Sequence, residues 1–224
     1  MSYTPFEPIH LTSYIAGVPV KPSQKLEIRS PYNRQLVGTV ATATAADTQA
    51  AIAAGLAGGK GLSRYERFAI LDKARQLLVE RKEDFARTIC AEAGLCMKET
   101  RYEVGRAHDV LMFAAMECLR DDGQIFSCDI SPTGKNRKIF TVRDPLKLAV
   151  AITPFNHPLN QVAHKIVPAI AAGTPIILKP SEKTPLTAIR FTELLYECGL
   201  PGYMLSVLLG PTADVAEPLV KDER

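Results

Sequence analysis

Two short polar signals follow two apolar runs in this chain. Leu148–Ile152 leads into Thr153-Pro154-Phe155-Asn156, and Pro175–Leu178 leads into Lys179-Pro180-Ser181-Glu182. An asparagine amide is a neutral donor that can stabilise a developing oxyanion. A lysine and a carboxylate at this spacing can both reach a ribose diol. The lysine donates, the glutamate accepts, and the glutamate's charge disfavours a 2′-phosphate. Each signal also has a plainer reading: Asn156 as a turn residue capping the next helix, Lys179 as an exposed charge at a strand end. Both signals contain a proline that restricts the backbone, Pro154 in one and Pro180 in the other. Beyond Asn156, the residues His157, Asn160, Gln161 and His164 recur at helical spacing, which predicts a polar face on an otherwise apolar helix.

The elements that must position these residues are legible. From Leu148 the rhythm is βαβαβα. "LAVAIT", "TPIILK" and "YMLSVLLG" are short apolar runs of the kind found in strands buried on both faces. The intervening helices end at Gly173 and Gly199, and Thr184 with Pro185 supplies an N-cap and first helical residue. This predicts an α/β fold with an incomplete doubly wound parallel sheet, because three strands with no return half look unfinished. Upstream, "SYIAGVPV" and "QLVGTVAT" are β-rich. Thr44 with Asp47 and Ser63 with Glu66 read as capping boxes. The second opens one long helix with Ile70, Leu71, Ala74, Leu77, Leu78, Phe85 and Ile89 on its apolar face, stopped by Gly94. A further helix spans about Lys98 to Leu119. "GQIFSCDIS" and "NRKIFTVRD" then form a projecting hairpin around "PTGK".

The bulk numbers exclude several classes. In 224 residues, 46% hydrophobic and 23% charged content is ordinary for a globular protein, and a net charge of +3 gives no case for nucleic acid or an anionic membrane. The cluster Lys135, Arg137, Lys138 reads as a solvated patch. No apolar run reaches the roughly 20 residues of a membrane span, and "MSYTPFEPIH" lacks the marks of a signal peptide. Cys90, Cys96, Cys118, Cys128 and Cys198 are odd in number with no CxxC pair, which favours reduced thiols in a cytoplasmic protein and no metal site. "AGLAGGKG" fails as a phosphate loop, because Ala54 stands where Gly is needed and Gly61 where Ser or Thr is needed. Neither GxGxxG nor GxSxG occurs.

"ITPFNHP", "KIVPAIAAGTPIILKPSEKTPL" and "GLPGYMLSVLLG", with the helices "ERFAILDKARQLLVERKEDFARTICAEAG" and "EVGRAHDVLMFAA", resemble the NAD(P)-dependent aldehyde dehydrogenase superfamily over nearly the whole chain. The resemblance implies Asn156 as the oxyanion-hole donor and Lys179, Ser181 and Glu182 at the adenosine ribose. Ile152, Thr153, Pro154 and Phe155 would run along the cofactor, with Gly210 under the adenine. Arg106, His157, Asn160 and Gln161 would border the substrate tunnel, and so polar a wall suits a short anionic aldehyde. The cofactor expected is NAD rather than NADP, with no metal. Residues 1–123 would be the N-terminal strands and helices of the cofactor domain, 124–144 an oligomerisation hairpin implying a homo-oligomer, and 145–224 a truncated cofactor-binding segment. "PFNHPLNQVAHK" with "DDGQIFSCDI" further resembles the phosphonoacetaldehyde dehydrogenase branch.

The chain also departs from the family. The phosphate-side glycine motif, general-base glutamate and nucleophilic cysteine are expected beyond Arg224, none of the five cysteines has the nucleophile's context, and Lys147 stands where a glycine is common. The chain therefore reads as an N-terminal fragment, inactive alone because no thiohemiacetal can form without the thiolate. The other reading is a non-catalytic nucleotide-binding or assembly module.

Overall fold

The computed structural model describes residues 6–21, 24–121 and 123–224, so the first half of "MSYTPFEPIH" lies outside it. In chain order come β1 (Ile9–Thr12), β2 (Tyr14–Ile15), β3 (Val18–Pro19), β4 (Lys25–Arg29), β5 (Leu36–Ala41), α1 (Ala45–Ala57), α2 (Arg64–Glu80), α3 (Lys82–Ala93) and α4 (Met97–Cys118). They are followed by β6 (Gln124–Phe126), β7 (Ile139–Thr141), β8 (Ala149–Ile152), α5 (Asn160–Ala172), β9 (Ile176–Lys179), α6 (Leu186–Glu197), β10 (Leu205–Val207) and α7 (Ala216–Lys221).

β8, β9 and β10 run parallel, as the βαβαβα rhythm predicts. The sheet is larger than expected, however. β2 pairs antiparallel with β10, so the N-terminal hairpin extends the sheet to five strands in the order β3-β2-β10-β9-β8. At the other end, β8 pairs with no second strand among the described residues, and Val150 and Ile152 are 41% and 44% exposed.

Helices cover both faces because the strands alternate their side chains. Ile176 and Leu178 enter the main core with residues of α2 to α6, while Ile177 joins Ala51, Ile52 and Leu219 from α1 and α7. Burying a side chain such as Phe191 or Leu195 contributes about 1.5–3 kcal/mol, and both are fully buried.

Both capping boxes form, with the Thr44 and Ser63 hydroxyls accepting from Asp47 and Glu66 amides. Gly94 and Gly173 end their helices in the left-handed region, at φ 72° and 82°, where a side chain would be strained. Two expectations need correction. The single long helix is broken at Arg81 into α2 and α3. Neither Pro nor Gly marks the break, and Arg81 there holds Glu197 of α6 through both terminal guanidinium nitrogens, at 2.7 and 2.6 Å. Thr184 does not cap α6, because Pro185 occupies the cap position without a side-chain bond. The hydroxyl of Thr184 donates instead to the Phe155 carbonyl, at 3.3 Å. The hairpin does form, but from only three residues on each side, paired Gln124 to Thr141, Ile125 to Phe140 and Phe126 to Ile139.

Candidate active site

The loops leaving β8 and β9 are drawn together at the carboxyl ends of the parallel strands. Register places Ile152 beside Lys179, and the Thr153 amide donates to the Lys179 carbonyl at 3.1 Å. Thr184 reaches the Phe155 carbonyl, and Lys183 Nζ sits 4.3 Å from the centre of the Phe155 ring. Three contacts, Thr153 to Lys179, Thr184 to Phe155 and Lys183 to Phe155, thus tie one loop to the other. Thr153 is buried, whereas Pro154, Phe155 and Asn156 are exposed.

Lys179 is not an exposed strand-end charge. It is 6% exposed, with Nζ 3.3 Å from Glu182 Oε1 and 3.4 Å from the Pro180 carbonyl. The Glu182 side chain is 45% exposed, so the pair presents a carboxylate outward over a buried ammonium. Ser181 Oγ accepts from the Lys183 amide and shapes that turn. A cleft of about 600 Å³ opens beside Glu182, Lys183 and Thr184, walled on its far side by Arg29, Pro31 and Arg34. Asn156, His157 and Arg106 do not line it. Gly210 is buried, and a Cβ there would stand 2.6 Å from the Ala43 carbonyl oxygen, so close chain packing accounts for the glycine.

Asn156 does not cap α5. The helix begins at Asn160, and among the described residues no hydrogen bond engages the Asn156 side chain. The cap comes from α4. Glu103, 2% exposed, accepts from the Leu159 and Asn160 amides through Oε1, at 2.8 and 3.0 Å. Glu92 of α3 does the same for α6, accepting from the Leu186 and Thr187 amides and from the Thr187 hydroxyl. A helix N-terminus leaves amides without intrahelical partners and favours negative charge. Burial nonetheless pushes the Glu92 carboxyl up to about 7, against the lowering effect of its hydrogen bonds to Thr187 and Leu186.

Neither glutamate stood out in the sequence. The available signal was a carboxylate on an apolar stripe: Glu92 follows Phe85 and Ile89 at helical spacing, and Glu103 lies among Thr100, Ala107 and Leu111.

The four polar residues expected on one helix face do not share it. His157 lies in the turn before α5, with its side chain 49% exposed. Asn160 is turned into the protein at 4% exposure, its Oδ1 without a hydrogen-bond partner. Gln161 is half-buried, and His164 is exposed in a separate cleft beside Phe113, Arg143 and Pro168. Helix α5 packs on the sheet and on α4, so its polar positions are divided between core and surface. Arg106 is exposed one turn along α4 from Glu103. It pairs with neither Glu103 nor Asp109: Glu103 caps α5, and Asp109 contacts His108 Nδ1 at 3.0 Å. Among the described residues no group of His, Cys, Asp and Glu could hold a metal ion, and no helix is long and apolar enough to cross a membrane.

Residues 19–224 match the aldehyde dehydrogenase family. The chain is 38% identical over 211 residues to a 3-sulfolactaldehyde dehydrogenase of Priestia megaterium, covering 94% of this chain and 44% of that protein. Aldehyde dehydrogenase 21 of Physcomitrella patens, crystallised with the reaction product succinate, superposes with a TM-score of 0.90 at 34% identity, over 97% of this chain and 46% of that one. A betaine aldehyde dehydrogenase of Staphylococcus aureus in complex with NAD+ superposes at 0.81 and 29% identity, over 93% of this chain and 42% of that one. The chain thus spans less than half the length of these relatives.

Proposed function

The chain belongs to the aldehyde dehydrogenase family, and from that premise we propose that it forms the N-terminal part of an NAD-dependent enzyme oxidising a short anionic aldehyde to the acid. The observation that carries this reading is the joining of the two loops. Asn156, with its amide uncommitted, follows a segment whose Ile152 lies beside Lys179, and Lys179 holds Glu182. The residues fit a dinucleotide: a buried ammonium and an outward carboxylate for a ribose, next to an open apolar strip of Val150 and Ile152. NAD, when bound, supplies the hydride acceptor.

Ile152, Thr153, Pro154 and Phe155 line the cofactor's path, and Lys179 and Glu182 orient the ribose, with Ser181 shaping their turn. The Glu182 charge favours NAD over NADP. Asn156 donates its amide to the oxygen that becomes an oxyanion after attack on the carbonyl. Arg106 offers a planar fork for the substrate's anionic group, and His157 and Gln161 add donors. Support for an anionic substrate comes from two of these relatives, the 3-sulfolactaldehyde dehydrogenase and the aldehyde dehydrogenase 21 crystallised with succinate. A phosphonate such as phosphonoacetaldehyde belongs to the same charge class.

The 224 residues alone are inactive in this reading. Burial raises the thiols of Cys90, Cys118 and Cys198, the opposite of what an attacking thiolate requires. The apolar hairpin, with Ile125 90% and Phe140 72% exposed, is an oligomer contact.

In the full-length enzyme, Asn156→Ala lowers kcat by about 10²–10³, as for loss of one oxyanion donor. Steady-state kinetics check this, and an unchanged kcat removes Asn156 from the role. Arg106→Ala raises KM for succinic semialdehyde by about tenfold, as for loss of one charge-assisted hydrogen bond, and leaves KM for butanal unchanged. Equal losses for the two aldehydes eliminate the anion site.

A further inference from the structure

Glu103 has two buried oxygens, and only one of them is accounted for by the helix it caps. Oε1 takes both amides of α5, while Oε2 is buried without a hydrogen-bond partner and faces His157 Nδ1 at 3.5 Å. A buried carboxylate oxygen with no donor costs roughly 1–3 kcal/mol or more, so this one is retained against a penalty. Its counterpart Glu92 leaves no such oxygen, because Oε1 accepts from the amide and hydroxyl of Thr187 and Oε2 accepts from the amide of Leu186. The group placed to reach Glu103 Oε2 is the imidazole that directly follows Asn156.

We propose that Glu103 is a positioning residue for substrate specificity. Its Oε2 accepts the Nδ1–H of His157 and so aims the other edge of the ring outward, where Nε2–H, when the ring is protonated, donates to the substrate's anion. Glu92 on α3 feels the Glu103 charge, which contributes to raising its carboxyl, and Arg106 follows Glu103 three residues later on α4. The same carboxylate therefore serves two purposes, capping α5 with one oxygen and aiming a side chain with the other. Such carboxylate–histidine pairs fix which ring nitrogen carries the proton.

This inference deepens the anionic-aldehyde reading and rests on it. The test uses the full-length enzyme with succinic semialdehyde and butanal. Glu103→Gln keeps an acceptor for the two α5 amides and removes the charge facing His157. It should raise KM for succinic semialdehyde by about 5–20-fold, the worth of one charged hydrogen bond, with KM for butanal and both kcat values within about twofold. His157→Ala should show the same selective loss, and the double variant no more than either single one.

Equal losses for the two aldehydes in Glu103→Gln would make Glu103 a helix cap alone and overturn the proposal. A selective loss in His157→Ala without one in Glu103→Gln overturns the positioning role and leaves the substrate reading intact. No effect of His157→Ala on succinic semialdehyde removes the anion role of His157 itself, and the positioning role with it. Should Glu103→Gln fail to fold, 15N spectra of the unaltered protein at about pH 9, where a histidine is neutral, decide the matter. His157 protonated on Nδ1 supports the pair, and His157 protonated only on Nε2 overturns it.

Discussion

Glu92 and Glu103 perform the same structural service at adjacent helices, yet they use their oxygens differently. Glu92 is closed upon α6, with two amides and a hydroxyl converging on its carboxylate. Glu103 caps α5 with one oxygen and leaves the other for the loop that carries Asn156 and His157. The difference teaches where stability ends and function begins in this fold. A satisfied buried carboxylate locks an element, whereas an unsatisfied one beside a half-exposed histidine is a place where a site can be aimed. Both anchor a strand-end loop against the helices of the N-terminal half.

The strongest way to break this comparison is to remove the closed cap. Glu92→Ala leaves two buried amides and a hydroxyl without their acceptor, and should lower stability by roughly 3–5 kcal/mol in urea unfolding. A loss below about 1 kcal/mol would mean that α6 finds its cap elsewhere.

Glu92→Gln probes the charge alone. Burial raises the folded carboxyl from 4.5 to about 7, so between those values the folded chain keeps a proton that the unfolded chain has released. The stability contributed by this group is therefore fully present below pH 4.5 and is lost as pH rises to about 7. Glu92→Gln should flatten that part of the stability–pH curve. A variant curve parallel to that of the unaltered chain would show that the carboxyl titrates normally.

The smallest effect concerns the tie between the two anchored loops. Phe155→Leu removes the ring beneath Lys183 and should cost about 0.5–1 kcal/mol at this half-exposed site. A larger loss would mean that the two loops depend on each other more than on their glutamate caps.

Much of this architecture was legible beforehand because its causes are local. The capping boxes at Thr44 and Ser63 and the glycine stops at Gly94 and Gly173 each depend on a few neighbouring residues, and each forms as read. The parallel strands were legible because a strand buried on both faces must be apolar throughout, as Ile176, Ile177 and Leu178 are. The break at Arg81 was not legible, since its partner Glu197 is remote in sequence. The cap of α6 is not legible for the same reason: Thr184 fits locally, but a buried carboxylate from α3 takes the amides.

The candidate site divides in the same way. By itself the sequence determined the βαβαβα order, the residues at the strand ends and the family resemblance, because period, capping and motif are written in adjacent positions. Only the tertiary structure decided that Lys179 is buried under Glu182, that Asn160 turns inward while His164 turns out, and that Glu103 reaches from α4 to His157. Those outcomes depend on which helix packs over which strand end. Burial and partnership there are set by contacts across the fold, and no short stretch of residues contains them.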